Sequence, residues 1–141
     1  MKNLKTYNSF SKSVLAIASL IVLCFVFASF YKQQAKWIAP ESAKNVKNPV
    51  ASNAASIAAG KVIYTKECLQ CHGKKGLGDG PNSATLDKAP APLNNPDVKS
   101  QTDGELFWKI KEGKKPMPST KNTLTDEQRW QVLNYVRTLG K

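Results

Sequence analysis

The stretch Cys68-Leu69-Gln70-Cys71-His72 holds two cysteines three positions apart, with a histidine directly after the second. This spacing is the attachment signature of c-type haem. Each thiol adds to one vinyl group of the porphyrin, and the histidine supplies the proximal nitrogen ligand of the iron. The motif therefore predicts one covalently bound haem c, held through Cys68 and Cys71, with its iron ligated by His72.

Three other uses of a Cys-x-x-Cys pair are alternatives. A thioredoxin-type redox pair belongs to a βαβ setting, and no such pattern surrounds this motif. A structural zinc site needs further ligands, and the third cysteine, Cys24, lies in an apolar run. A plain disulfide between Cys68 and Cys71 is the third alternative. Haem attachment also accounts for the histidine, and it is the reading we prefer.

The sequence leaves one candidate for the second axial ligand of the iron. His72 is the only histidine, and methionine occurs only at positions 1 and 117. Met117 stands between Pro116 and Pro118, and each proline fixes φ near −65° and drives the residue before it towards extended backbone. We therefore expect Met117 on a stiff, extended loop as an iron ligand; the alternative is a methionine that fills a gap in the core. Ligation by histidine and methionine fills both axial positions, which suits electron transfer.

The pattern around the motif is helical. Ile57, Gly60, Tyr64 and Cys68 recur at helical spacing and predict a helix from about residue 56 to 68. Two capping boxes, Thr102-Asp103-Gly104-Glu105 and Thr125-Asp126-Glu127-Gln128, open two further helices. Four glycines and four prolines in residues 73–101 argue against long elements between them. We predict an all-α architecture of short helices around one haem.

Residues 55–139 resemble a class I monohaem c-type cytochrome, and they look most like the bacterial members of the membrane-anchored or exported type. The resemblance rests on five features in order: Gly60-x-x-x-Tyr64, the Cys-x-x-Cys-His motif, Gly80-Pro81-Asn82, the Met117 loop and Val132-x-x-Tyr135. It implies that Gly60 and Tyr64 meet Val132 and Tyr135 where the first and last helices cross.

The resemblance also implies a partner for the second ring nitrogen of His72. In this family a proline carbonyl accepts a hydrogen bond from that nitrogen and holds the ring. Pro81 is the best match in this sequence, and Pro90 and Pro92 are alternatives.

The N-terminal segment, residues 1–31, has the pattern of a signal-anchor or a signal peptide. Three lysines precede an uncharged apolar run of 18 residues, 14–31, which as a helix spans about 27 Å of a hydrocarbon core roughly 30 Å thick. We expect this segment to hold the protein to the cytoplasmic membrane with the haem domain on the periplasmic side, or to be cleaved and leave the protein in the periplasm. Lipidation of Cys24 is a third alternative, and the bulky Leu23 before it disfavours that modification.

Residues 32–55 are predicted to be a flexible linker, which leaves residues 56–141 as the haem domain. The linker is rich in Ala, Ser, Asn and Lys, contains two prolines and has few periodic apolar residues. A Gly/Ser-like chain of this length has a root-mean-square reach of roughly 25–30 Å.

The formal net charge of +11 indicates the kind of partner. Lys74 and Lys75 follow the haem motif, and Lys114 and Lys115 precede the methionine. If these lysines ring the haem edge, they steer an acidic redox partner into contact; the alternative is a set of solvated loop lysines. The charge is otherwise diffuse, so we expect no nucleic-acid partner.

These features together predict an electron-transfer protein rather than an enzyme. The function that we favour is a one-electron carrier between a quinol-oxidising complex and a terminal oxidase or reductase. The first alternative is a fixed haem subunit of a larger respiratory complex. The second is a haem peroxidase or gas-binding sensor, which needs an open distal position on the iron.

Overall fold

The computed structural model describes residues 36–139 of the chain. Residues 38–141 form one compact unit, and of the other unit, residues 1–37, only the last two residues are described. The predicted signal-anchor at residues 1–31 thus lies outside the described residues. Within residues 36–139, no helix has the length and apolar character needed to cross a bilayer.

The described chain is helical. Its elements in order are α1 Glu41–Lys44, α2 Ala54–Glu67, α3 Leu69–His72, a 3₁₀ helix Ser83–Thr85, α4 Pro96–Lys99, α5 Asp103–Glu112 and α6 Asp126–Val136. No β-strand occurs in residues 36–139, and the predicted all-α class is confirmed.

Both predicted capping boxes begin helices. The Thr102 hydroxyl accepts a hydrogen bond from the N–H of Glu105, and the Glu105 carboxylate accepts one from the N–H of Thr102 at 2.7 Å. Thr125 and Gln128 make the same reciprocal pair at the start of α6. Helix α2 begins earlier than predicted, because Asn53 forms a capping box with the hydroxyl of Ser56.

Helices α2 and α6 cross in close contact. A Cβ atom on Gly60 would lie 2.6 Å from the carbonyl carbon of Gln131 and 3.1 Å from the Cβ of Tyr135. The rings of Tyr64 and Tyr135 lie 5.2 Å apart at 59°. Tyr64 and Val132 are both 1% exposed. The predicted contacts of Gly60 and Tyr64 with Tyr135 are confirmed.

The hydrophobic core lies between α5 and α6. Leu106, Trp130 and Leu133 are its buried members. Phe107 stacks on Trp130 with ring centroids 4.0 Å apart at 16°, a geometry that adds about 1 kcal/mol beyond the area buried. Val50 packs against this cluster from the segment before α2.

Residues 38–53, which we call the N-terminal strap, pack on the helices instead of forming a flexible linker. Ala43 in α1 is buried, and Gly104 at the start of α5 leaves room for its carbonyl oxygen. The side-chain amide of Asn48 donates a hydrogen bond of 2.8 Å to Oδ1 of Asn134. Asn134, 3% exposed, donates to the carbonyl of Val50. In this part of the predicted linker the structure differs from the prediction, because small side chains and backbone carbonyls carry the contact.

Candidate functional site

The three residues of the haem motif lie on one turn of backbone. Cys68 ends α2 and begins α3, and its carbonyl accepts hydrogen bonds from the N–H groups of Cys71 at 3.2 Å and His72 at 2.9 Å. Both cysteines are half-buried free thiols. Burial raises the pKa of the Cys68 thiol to about 12, with smaller contributions from Glu67 and Cys71. The two thiols are not joined as a disulfide in this structure.

His72 is held in the state that binds a metal. Burial lowers its pKa, which favours the neutral imidazole, and the neutral ring is the form that ligates iron. Its Nδ1 atom is buried and has no hydrogen-bond partner within the described residues. A buried ring nitrogen without a partner is costly unless another group completes the site.

The loop after the motif is fastened to it by backbone hydrogen bonds. The N–H of Gly78 donates to the carbonyl of His72 at 2.9 Å, and the N–H of Leu93 donates to the carbonyl of Gly76 at 2.6 Å. The hydroxyl of Tyr64 donates to the carbonyl of Gly73 at 2.7 Å. Gly78 has φ +78°, and its Cβ position is filled by the carbonyl oxygen of Pro90. Both the backbone conformation and the lack of space therefore exclude a side chain at this position.

The structure does not separate the proline candidates for the partner of His72, because Nδ1 of His72 has no hydrogen-bond partner within the described residues. The segment around Pro81 is bonded to the haem motif: the N–H of Gly80 donates to the carbonyl of Cys71 at 3.2 Å, and the N–H of Asn82 donates to the carbonyl of Gln70 at 2.8 Å. Pro90 lies against Gly78, which is hydrogen-bonded to His72.

A partly open cavity of about 280 Å³ is lined by Leu93, Val98, Lys99, Leu106, Val136, Arg137 and Leu139, and none of Cys68, Cys71, His72 and Met117 lines it. Leu93 and Leu139 approach within 3.0–3.2 Å of the Cβ position of Gly76, four residues after His72. Two free thiols and, directly after the second, a neutral imidazole fit a covalently attached haem. Within residues 36–139, no cluster of three His, Cys, Asp or Glu side chains suits a metal ion, so a zinc site lacks ligands there.

Met117 lies on the loop between α5 and α6, and the backbone there differs from the extended loop that we expected. The N–H of Lys114 donates to the carbonyl of Met117 at 3.0 Å, and the N–H of Met117 donates back at 2.9 Å. These two bonds close a turn around the cis peptide bond before Pro116. Met117 is half-buried, whereas Lys114 and Lys115 are exposed.

Sequence reasoning missed one residue of this region. Arg129 in α6 is 2% exposed and donates hydrogen bonds to the loop that follows Met117. An arginine on a helix normally faces water. The only sequence feature near it is the capping box at Thr125, which gives no indication that the guanidinium is buried.

Two comparisons with known proteins bear on this site. A family model described as "Cytochrome C oxidase, cbb3-type, subunit III" matches residues 55–136. Among solved structures, a chain of the reducing HAO-like protein complex of Kuenenia stuttgartiensis has 29% sequence identity and a TM-score of 0.60. That match covers 67% of this chain and 49% of the other, so this chain accounts for about half the length of its neighbour. The search of curated proteins found no match.

Proposed function

Since this chain belongs to the family of c-type cytochrome domains whose model is described as subunit III of cbb3-type cytochrome c oxidase, we propose that it is a one-electron carrier with a single haem c ligated by His72 and Met117. A c-type cytochrome domain implies haem c, iron and an electron-transfer role.

The observation that carries the proposal is the state of His72. It is a neutral, half-buried imidazole directly after the second of two free thiols, which is the arrangement that haem attachment needs.

Each residue of the site has a task toward the haem. Cys68 and Cys71 would hold the porphyrin through thioether bonds, and His72 and Met117 would ligate its iron. When bound, the haem would supply an iron centre that takes up and releases one electron.

The ring of His72 needs an acceptor for its Nδ1–H to keep its orientation. We assign this role to the carbonyl of Pro81, as the resemblance implies, with Pro90 and Pro92 as alternatives. The residues on either side of Pro81 donate backbone hydrogen bonds to the carbonyls of Cys71 and Gln70.

The partners follow from charge and from the N-terminal sequence. Lys74 and Lys75 are exposed and lie shortly before Leu77, an apolar residue that is 42% exposed. A small apolar contact with lysines beside it suits an acidic redox protein. We place the donor among quinol-oxidising complexes and the acceptor among terminal oxidases or reductases. Residues 14–31 then tether the protein to the cytoplasmic membrane, with the haem domain on the outer side.

A fixed haem subunit of a larger respiratory complex is the second candidate function. Two observations favour it: the family model is described as an oxidase subunit, and the similar structure is a chain of a protein complex. Gentle solubilisation and size separation distinguish the two functions. After solubilisation, a carrier separates as a single chain, whereas a subunit migrates in constant proportion with other chains.

The experiment that tests the proposal is absorption spectroscopy and mass spectrometry of the purified protein. We expect one added haem mass, a Soret band and a low-spin ferric spectrum. A colourless protein would refute haem attachment, and a high-spin ferric spectrum with immediate carbon monoxide binding would refute ligation by Met117 and favour a peroxidase or sensor.

A further inference from the structure

The side chain of Arg129 is hydrogen-bonded to the loop that carries Met117. It is 2% exposed, although it carries a full positive charge. Its Nε atom donates to the hydroxyl of Thr120 at 3.0 Å, and one terminal nitrogen donates to the carbonyls of Thr120 at 2.6 Å and Lys121 at 3.0 Å. The same nitrogen reaches the carbonyl of Leu124 at 2.5 Å.

The charge of this buried guanidinium is balanced from the surface. Its other terminal nitrogen donates to the carboxylate of Asp126, one turn earlier on α6, whose side chain is 60% exposed. An ion pair with one exposed partner contributes little by itself. Apart from this ion pair, the hydrogen bonds of Arg129 go to the segment of residues 120–124, from Nε to the Thr120 hydroxyl and from one terminal nitrogen to backbone carbonyls.

The segment that Arg129 holds begins three residues after Met117. The Thr120 hydroxyl, which accepts from Arg129, donates to the carbonyl of Ile110 at the end of α5. The hydroxyl of Ser119 donates to the carbonyl of Lys111 at 2.8 Å. The loop is thus fastened to α5 directly and to α6 through Arg129, so Met117 has few backbone conformations available.

We propose that Arg129 is a positioning residue that keeps Met117 available to the haem iron by fixing the loop that follows it. This inference rests on the proposed His/Met ligation and explains why Met117 stays bound to the iron. The thioether bond to iron is weak, so the loop must supply much of what keeps the sixth position filled. Without Arg129, the 113–124 loop opens more often and the iron is exposed to external ligands.

The test compares three substitutions in the full-length haem protein. Arg129→Gln removes the charged donor, Arg129→Lys keeps the charge without the planar fork, and Thr120→Ala removes one acceptor with a smaller risk to folding. The matched control is Arg137→Gln. Arg137 also lies at α6 and donates to a carboxylate and to backbone carbonyls, but its partners are Asp103, Gln101 and Lys99.

The main measurement is the rate at which carbon monoxide binds the ferrous protein, because Met117 must leave the iron first. A hydrogen bond from a charged donor is worth at least about one tenfold step in an equilibrium. We expect Arg129→Gln to raise this rate about tenfold or more, and Thr120→Ala and Arg129→Lys to raise it less. The control should stay within about twofold of the wild type even if its stability falls. Amide hydrogen exchange of residues 113–124 should accelerate only in the Arg129 and Thr120 variants.

The outcomes separate the two proposals. If the wild-type protein lacks the red absorption band of a thioether-ligated ferric haem, the His/Met assignment fails, and the role of Arg129 fails with it. If the wild type shows the band but the Arg129 and Thr120 variants bind carbon monoxide no faster than Arg137→Gln, the ligation stands and the positioning role is refuted. If Arg129→Gln does not fold, the same comparison is decided with Thr120→Ala and Arg129→Lys.

Discussion

The carbonyl of Gln131 in α6 occupies the space that a side chain on Gly60 of α2 would need, with its carbon 2.6 Å from the Cβ position. The backbones of the two helices therefore touch directly. This contact places the C-terminal end of α2, and with it the haem motif, at a fixed distance from the last helix. Such a close approach is available only to glycine.

Gly60→Ala should lower the free energy of unfolding by about 2 kcal/mol, because the overpacking cost exceeds the roughly 1 kcal/mol that alanine returns in helix propensity. Denaturant unfolding followed by circular dichroism measures this difference. The dependence of the unfolding free energy on denaturant concentration should be the same in the variant and the wild type. Val62→Ala on the exposed face of the same helix, 71% exposed, serves as the control and should change stability by less than about 0.5 kcal/mol. Equal midpoints for the two variants would show that the helices separate at little cost.

Met117→Leu should remove the red thioether band and allow rapid carbon monoxide binding while the fold is retained. Leucine is close in volume to methionine, and such exchanges cost less than about 1.5 kcal/mol, but it has no sulfur to donate to iron. The reduction potential should fall, because a methionine ligand raises it. Absorption spectra and a redox titration check both effects. A Leu variant with the wild-type spectrum would mean that Met117 only fills space.

Glu105→Gln should remove part of the acid sensitivity of the protein. The hydrogen bond from the Thr102 N–H holds the pKa of Glu105 below its ordinary value of 4.5. The carboxylate is thus favoured by the folded state at pH values above 4.5, and this contribution is lost as the pH falls through the lower folded pKa. We expect the wild type to be more stable than Glu105→Gln at pH 7, and the two stabilities to converge on acidification. A difference that is constant from pH 7 to acid would contradict the assignment.

Lys74→Glu combined with Lys114→Glu should slow electron transfer to a terminal oxidase at low ionic strength, and the effect should shrink as salt is added, because exposed charges are screened within about 10 Å at 0.1 M salt. Lys47→Glu combined with Lys61→Glu changes the net charge equally at exposed positions before the haem motif and serves as the control. Equal rates for the two double variants would rule out steering by the loop lysines.

The sequence predicts the helices of this fold well where a local chemical pattern starts them. Thr102 and Thr125 each begin a helix because a side-chain oxygen three residues on completes a reciprocal cap, and this depends only on neighbours in the chain. The contact of Gly60 with α6 was also predicted, but only through the resemblance. No local property of residues 56–68 identifies the helix that covers Gly60.

The features that sequence reasoning missed depend on contacts made by backbone carbonyls, which an apolar pattern does not reveal. Burial of Arg129 requires the carbonyls of Thr120 and Leu124 to converge on one point, and hydrophobic periodicity does not report such convergence. The strap was missed for the same reason, since Ala43 and the carbonyl of Val50 make its contacts without an apolar pattern. The turn at Met117 replaces an extended segment because two backbone hydrogen bonds close it.

The strap sets where a usable fragment of this protein must begin. The family match starts at residue 55, whereas the folded unit starts at residue 38. A truncated protein that starts at the family boundary would lose Val50 from the core and would leave the buried amide of Asn134 without the carbonyl that it binds. A shortened protein that contains the haem domain should therefore begin near residue 38, because a boundary taken from the family match alone removes part of the core.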